Sequence, residues 1–342
     1  MRLTRRGALA AGAGGLGAAL LPRSAQARRL DAATSVSIAA RPIPAFLPRS
    51  PELKRFGSLE FRSGLVLSST EPAFGGLSGL SRSADGSRIV AVTDRGSWLT
   101  ARLLRAERRL SGVDDAVMAP MLNAQGRPLG RSRSYDVECL CIDKGVAFVG
   151  VERTHEALRF DWGRHGVAAR GQSIPMPPEA RRLPANRSLE AIGVAPASSP
   201  VAGALVALAE RSGDVDQPTA GFIVGGPRPG LFSYRLQDGY DVTDLAFLPN
   251  GDMLVLERWY RPWRGVGMRV RRVDGERLGP GSTLEGATLI EADLGHEIDN
   301  MEGMSVHVEE GRVILTLISD DNFSMLQRTV LLEFEIALPN LT

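Results

Sequence analysis

At 342 residues, 43% of them apolar and 23% charged, the chain can hold one large or two ordinary domains around a sizeable core. The formal net charge is +2, but four arginines lie in an N-terminal leader without acids; the remainder stands at −2 (41 less 4 basic residues against 39 acidic), which excludes a nucleic-acid binder driven by a basic surface. Two cysteines exclude a disulfide framework and a Cys/His zinc site, and 38 glycines and 21 prolines favour many turns over long helices.

The leader comes first in chain order. Arg5-Arg6 in Thr4-Arg5-Arg6-Gly7-Ala8-Leu9, the Ala/Gly/Leu run from Ala8 to Leu21 and Ala25-Gln26-Ala27 make residues 1–27 a twin-arginine export signal, read by the export machinery and cut near Ala27. The expected product is periplasmic or secreted. The run is too short and too glycine-rich to span a bilayer, and no later apolar run approaches the ~20 residues of a spanning helix, so no stable membrane insertion is expected.

Residues 28–56 are rich in Pro, Ala and Arg without clear periodicity and read as an extended lead. From residue 57 onward the chain reads as a single domain of β-strands. Ser58–Ser68 supplies one or two strands, and then a repeat begins. Its five copies start with Gly76-Leu77-Ser78-Gly79-Leu80, Asp136-Val137-Glu138-Cys139-Leu140, Ser188-Leu189-Glu190-Ala191-Ile192, Asp241-Val242-Thr243-Asp244-Leu245 and Asn300-Met301-Glu302-Gly303-Met304. Their third positions are 60, 52, 53 and 59 residues apart. Each is followed by a second apolar run, usually across a tight turn such as Asp85-Gly86, Lys144-Gly145 or Asn250-Gly251. A period of fifty-odd residues built from short strands is the signature of a β-propeller with one four-stranded blade per repeat. Five blades are expected, with Ser58–Ser68 completing the C-terminal blade and closing the ring; a sixth requires more strand in residues 31–75. Cys139 and Cys141 alternate with Leu140 in a strand and are expected as two thiols.

In a blade the first strand lines the channel and the second runs back beside it, so the start of the first and the end of the second share one mouth. The first set is Ser78, Glu138, Glu190, Thr243 and Glu302; the second is Asp94, Glu152, Glu210, Glu257 and Asp320. Arg95, Arg153, Arg211 and Arg258 directly follow the second set in four copies. This predicts a polar funnel in which Glu138, Glu190, Glu302, Asp94 and Asp320 could hold a divalent cation, Ca²⁺ or Mg²⁺, since the oxygen donors are hard and no Cys or His accompanies them. Arg95, Arg153, Arg211 and Arg258 suit the phosphate or carboxylate of a substrate. The alternative role for the Glu–Arg pairs is to staple blade to blade.

Smaller candidates remain. Ser78, in Gly75-Gly76-Leu77-Ser78-Gly79-Leu80, resembles a nucleophile elbow but lacks the last glycine of G-x-S-x-G. His155, after Glu152-Arg153, and His296, ahead of Glu302, are candidate general bases for it. Trp259, Tyr260 and Trp263 with Arg258, Arg261 and Arg264 form an aromatic–basic loop that could wall the mouth.

The chain resembles the phytase-like propeller family, described by an "esterase-like activity of phytase". Phe74 to Leu80, Thr93-Asp94-Arg95-Gly96, Asp136-Val137-Glu138, Ser188 to Ile192, Asn300 to Met304 and Ile318 to Phe323 carry the resemblance, which covers residues from about 57 to 337. It implies an exported propeller that hydrolyses a small phosphoester or ester. Three functions follow: a metal-assisted phosphoester hydrolase, with Glu138, Glu190 and Glu302 as the catalytic carboxylates; a carboxylesterase using Ser78 with His155 or His296; and a non-enzymatic ligand-binding or scaffold propeller. A monomer without an organic cofactor is expected.

Overall fold

A computed structural model describes residues 30–131 and 136–337. The export-signal segment, residues 1–27, lies outside the described residues. No helix among the described residues is long and apolar enough to cross a membrane.

The described residues form five sheets arranged as the blades of a propeller, antiparallel except where Thr283–Leu284 pairs in parallel with Gly230–Tyr234. The innermost strands are Leu77–Arg82 (blade I), Val137–Asp143 (II), Leu189–Val194 (III), Asp241–Phe247 (IV) and Asn300–Glu309 (V). Each contacts the next, and the fifth contacts the first, so the ring is closed. Close approach at the axis requires small residues. A Cβ on Gly79 would lie 2.7 Å from the Leu140 nitrogen, and one on Gly303 would lie 3.0 Å from the Leu80 nitrogen. Glycine at the fourth repeat position thus lets neighbouring inner strands meet.

Closure uses the predicted strand. Leu59–Ser69 pairs with the C-terminal strand Thr329–Ile336, with Leu67 opposite Thr329 and Leu59 opposite Ile336. The stretch read as an extended lead is also built into the ring. Ile38–Ile43 forms the outermost strand of blade V against Leu59–Ser69, and Thr34–Ser35 pairs with Arg109–Pro120 of blade I. These strands add to existing blades, so no sixth blade arises. Their weak sequence signal has a physical cause: an edge strand is exposed on one side and tolerates Pro42, which a central strand would not.

Apolar clusters fill the spaces between blades. In one of them Phe46 packs on Phe56, Phe61 and Phe334 with ring centroids 4.9 to 5.8 Å apart. Two buried acid–arginine knots lie among these clusters. Glu257 accepts from Tyr234 Oη at 2.6 Å and Arg269 Nε at 2.6 Å, tying blades III and IV. Glu333 accepts from Arg82 at 2.8 Å, tying blades V and I. Cys139 and Cys141 are free thiols opposite Gly150 and Phe148.

Candidate functional site: an acidic channel mouth

The third repeat position is a β-bulge in all five blades. Pairing skips one residue between Leu77 and Gly79, Val137 and Cys139, Leu189 and Ala191, Val242 and Asp244, and Met301 and Gly303. The residues left out are Ser78, Glu138, Glu190, Thr243 and Glu302. A bulged residue has no cross-strand partner and its side chain is re-aimed. Five equivalent bulges at one mouth therefore give five equivalent side-chain positions.

These positions divide by chemistry. Ser78 Oγ donates to the Val137 carbonyl at 2.5 Å, and Thr243 Oγ1 donates to the Met301 carbonyl at 3.2 Å. Both acceptors are the second-position residue of the next blade, so the two hydroxyls are inter-blade ties. Ser78 is buried and commits its proton to the backbone. The hydroxyl against His155 is that of Ser188, 2.6 Å from Nδ1. His296 lies 3.2 Å from Asp293, and its ring packs at a tilt on Phe46 with centroids 5.0 Å apart. The structure thus assembles no Ser78–His155 or Ser78–His296 pair.

The three glutamates Glu138, Glu190 and Glu302 do converge. Burial, with Glu190, Asp136, Glu302 and Glu152 around it, pushes the Glu138 carboxyl well above the usual carboxylate range. Burial and then Glu210, Glu302 and Glu152 do the same to Glu190. Burial also raises Glu302, against the pull of Arg258.

The register corrects one assignment at the strand ends. Gly76, Asp136, Ser188 and Asn300 lie level with Asp94, Glu152, Glu210 and Asp320. In blade IV the residue level with Asp241 is Arg258, not Glu257. A one-residue offset in a strand reverses the face, which explains why Glu257 is in the knot between blades III and IV. Arg258 therefore takes the place of the repeat's acid. Its Nε is 3.0 Å from Glu302 Oε1, and its Nη2 is 3.9 Å from Glu210 Oε1. Glu302 also accepts from Asn300 Nδ2 at 2.7 Å.

The remaining carboxylates are less well compensated. Two trios, Asp136–Glu138–Glu152 and Glu152–Glu190–Glu210, each bring one oxygen per residue within 4.8 Å of the others. Glu152 belongs to both, and its carboxyl is raised above the usual range by burial and by Asp136. Burial raises Glu210 to about 7, Asp94 to about 6 and Asp320 to about 8. Neighbouring acids add to each shift, while Arg258 opposes that of Glu210.

Of the residues proposed as metal ligands, Glu138 and Glu190 fall in the trios. Glu302 is held by Arg258 and Asn300, and Asp320 accepts from the Asn322 nitrogen at 2.7 Å. Asp94 is 3.9 Å from Arg95 Nε, with one oxygen buried and unpartnered. Neither Asp94 nor Asp320 belongs to a trio. Glu152 and Glu210, expected at the mouth but not as ligands, and Asp136, the first residue of the second repeat copy, complete the trios.

The other arginines surround the mouth. Arg153 Nε donates to Asp136 at 2.9 Å, Arg211 donates to Asp241, and the Arg95 guanidinium lies 3.8 Å from the Phe323 ring centre. Trp259 packs beneath Arg261 and beside Tyr240, while Tyr260 and Trp263 project outward.

Residues 72–323, which hold all five bulges and the mouth, match the Phytase-like family, described as "Esterase-like activity of phytase". The chain belongs to the phytase-like family. No curated protein matches it by sequence. Among solved structures it is similar to the PQQ-bound form of an aldose sugar dehydrogenase from Streptomyces coelicolor, with 8% identity, a TM-score of 0.40, and coverage of 88% of this chain and 98% of that one. That likeness is too distant to carry chemistry. The motifs that carry the resemblance hold the bulge residues of four blades and the strand ends Asp94 and Asp320; Glu152, Glu210 and Arg258 lie outside them.

Proposed function

We propose that this phytase-like propeller is an exported, metal-assisted phosphoester hydrolase whose site is the half of the mouth built by blades II and III. One observation carries the reading: two carboxylate trios share Glu152, while Arg258 pairs with Glu302 at 3.0 Å and reaches only the edge of the second trio, 3.9 Å from Glu210. Closely spaced acids in a buried mouth must hold protons, arginines or a cation. An all-oxygen donor set of this charge fits Ca²⁺ or Mg²⁺. Asp136, Glu138 and Glu152, and Glu152, Glu190 and Glu210, would hold the ion or ions.

A bound divalent cation would supply Lewis acidity toward a phosphoryl oxygen and a more acidic water. The chain's own groups supply the rest. Arg153 and Arg95 stand at the rim, where a phosphate group enters, and Arg153 is oriented by Asp136. Arg211 is held by Asp241 and contributes positive potential. With a cation held, Glu210 would be a deprotonated ligand, so the proton for a leaving alkoxide would come from His155, beside Glu152, its ring fixed through Ser188.

The test is phosphate release from a panel of small phosphomonoesters by chelator-treated protein, with and without added Ca²⁺, Mg²⁺ or Mn²⁺. Metal-dependent release supports the reading. Cation binding without release from any ester would reduce the protein to a binding propeller, and metal-independent cleavage of acyl esters would favour the carboxylesterase alternative.

A further inference from the structure

The mouth face carries a second feature that ester hydrolysis does not need. Tyr260 is 66% exposed, Trp263 98%, Leu294 58%, Met325 90% and Leu326 94%. All five lie at the mouth end of blades IV and V. Tyr260 and Trp263 sit at the tip of the hairpin joining Met253–Arg261 to Gly265–Val273. Met325 and Leu326 lie in the connection from Arg312–Asp320 to Thr329–Ile336, and Leu294 opens the passage from blade IV to blade V.

These tips are mutually braced. Leu294 lies against Gly265, at the foot of the Trp263 turn. The 321–328 loop is bound to the passage after Leu294: the Arg328 nitrogen donates to Asp299 at 3.0 Å and its Nη1 to Glu297 at 2.6 Å. Trp259 roots the hairpin under the Arg261 guanidinium, 4.8 Å from its ring centre. An indole held on a rooted hairpin yet 98% exposed is positioned outward, not left over from the core.

The charge at the tip is positive. Arg261 and Arg264 flank Pro262-Trp263. The nearby acids are engaged: Glu297 and Asp299 by Arg328, and Asp293 by the Gly295 nitrogen and His296. Blade III lacks this character, because its exposed Val215 stands between Asp214 and Asp216.

We propose that this wedge docks the propeller on an anionic phospholipid surface. Trp263, Met325 and Leu326 enter the boundary between headgroups and acyl chains, and Arg261 and Arg264 meet lipid phosphates. Three observations favour a bilayer over a folded protein partner. The apolar groups stand on three separate connections, the 262–264 turn, the passage after Asp293 and the 321–328 loop, each exposing its side chains to solvent. Trp and Tyr are the residues that settle at headgroup level. Arginines beside them add attraction to anionic lipids. Docking would turn the acidic mouth toward the membrane, but it does not depend on the hydrolase reading.

The test is co-sedimentation of the full chain with vesicles of phosphatidylcholine alone or mixed in equal parts with phosphatidylglycerol. Wild type and variants share the same N-terminus, so any contribution of the leader cancels. Wild type should bind the mixed vesicles, bind phosphatidylcholine more weakly, and release at high salt. The double variant Trp263→Ser/Leu326→Ser should lose about tenfold in affinity with an unchanged thermal midpoint. Trp263→Phe should retain binding but lose the blue shift of emission seen on binding. No association with mixed vesicles, or equal association by wild type and the double variant, would overturn the proposal. So would concentration-dependent self-association that the double variant abolishes, which would assign the wedge to a second copy of the chain. Phosphate release is measured separately: binding without release leaves docking standing and counts only against the hydrolase.

Discussion

Arg258 Nε lies 3.0 Å from Glu302 Oε1, and it reaches that glutamate from a position that is acidic in every other blade. The pair joins blade IV to blade V across the mouth, with Glu210 of blade III 3.9 Å from the same guanidinium. Electrostatically, Glu302 and Glu210 are the first and second partners of Arg258, and their charge drives its pKa above the ordinary arginine value. Removing the cation leaves both acids buried without it. Arg258→Gln should destabilise the fold by about 3 kcal/mol at pH 8, the scale for breaking one partner out of a buried pair. The loss should shrink at pH 5, where the acids protonate. Adding Glu302→Gln to Arg258→Gln should recover part of the loss. Urea unfolding of the single and double variants at both pH values checks this, and an equal loss at both would show that Arg258 acts through packing.

The mouth sets a pH dependence of definite sign. Asp94, Glu210 and Asp320 have pKa values of about 6, 7 and 8 in the folded protein. All lie above their unfolded values near 4, so the folded state binds more protons between roughly pH 4 and pH 8. Their contribution to stability is fully present below the unfolded values and is lost as pH rises through the folded ones. Glu333 behaves oppositely: burial would raise it, but Arg82 and Arg105 win and hold it below the ordinary value, so its contribution fades as pH falls. Chelated protein should therefore be most stable on the acid side of neutrality, and its thermal midpoint should fall between pH 6 and pH 8. A divalent cation that displaces the protons should reverse the slope. Thermal scans with chelator and with Ca²⁺ decide it; a midpoint that rises with pH in chelator would contradict the assignment.

The propeller was legible because the repeat joins two independent signals, a fifty-odd-residue period and two apolar runs per copy. Thr329–Ile336 pairing with Leu59–Ser69 followed from the missing outer strand of the last copy. Ile38–Ile43 was not legible, because only Ile43 is buried and Arg41-Pro42 interrupts the pattern. At the mouth, residue types were readable but register was not. MLVLER aligns with ALVALAER by its Glu-Arg ending, yet pairing sets Glu257 beside Val242 and moves Arg258 to the acid position. Nor does sequence distinguish a bulge hydroxyl that ties two blades from one that attacks a substrate; only the partner of Ser78 does that.

Ser78 and Thr243 supply a direct contrast with a nucleophilic role. Each hydroxyl bonds the second-position carbonyl of the following blade. Ser78→Ala should cost about 1 kcal/mol, the net worth of one such hydrogen bond, and Thr243→Val should cost a similar amount. Hydrolysis of any substrate the wild type accepts should survive Ser78→Ala within a fewfold. Loss of turnover with the unfolding midpoint unchanged would return Ser78 to catalysis.

Glu152 is the residue on which both trios depend. It lies within 4.8 Å of donor oxygens from Asp136, Glu138, Glu190 and Glu210. Glu152→Gln keeps the shape but removes one negative charge from both groups. In the absence of cation the substitution relieves like-charge repulsion, so the chelated variant should melt higher than wild type at pH 8. With cation present the order should invert, because ligand binding stabilises the folded state only as far as the ligand binds. The wild type should gain several degrees on adding Ca²⁺ or Mg²⁺, and Glu152→Gln little or nothing. Glu302→Gln is the matched control: it removes an acid already held by Arg258 and Asn300 and should leave most of the cation-dependent gain intact. Isothermal titration beside the thermal scans separates binding from its consequences. Equal cation responses in the two variants would show that the mouth binds as one undivided ring, without the localisation to blades II and III that the two trios imply.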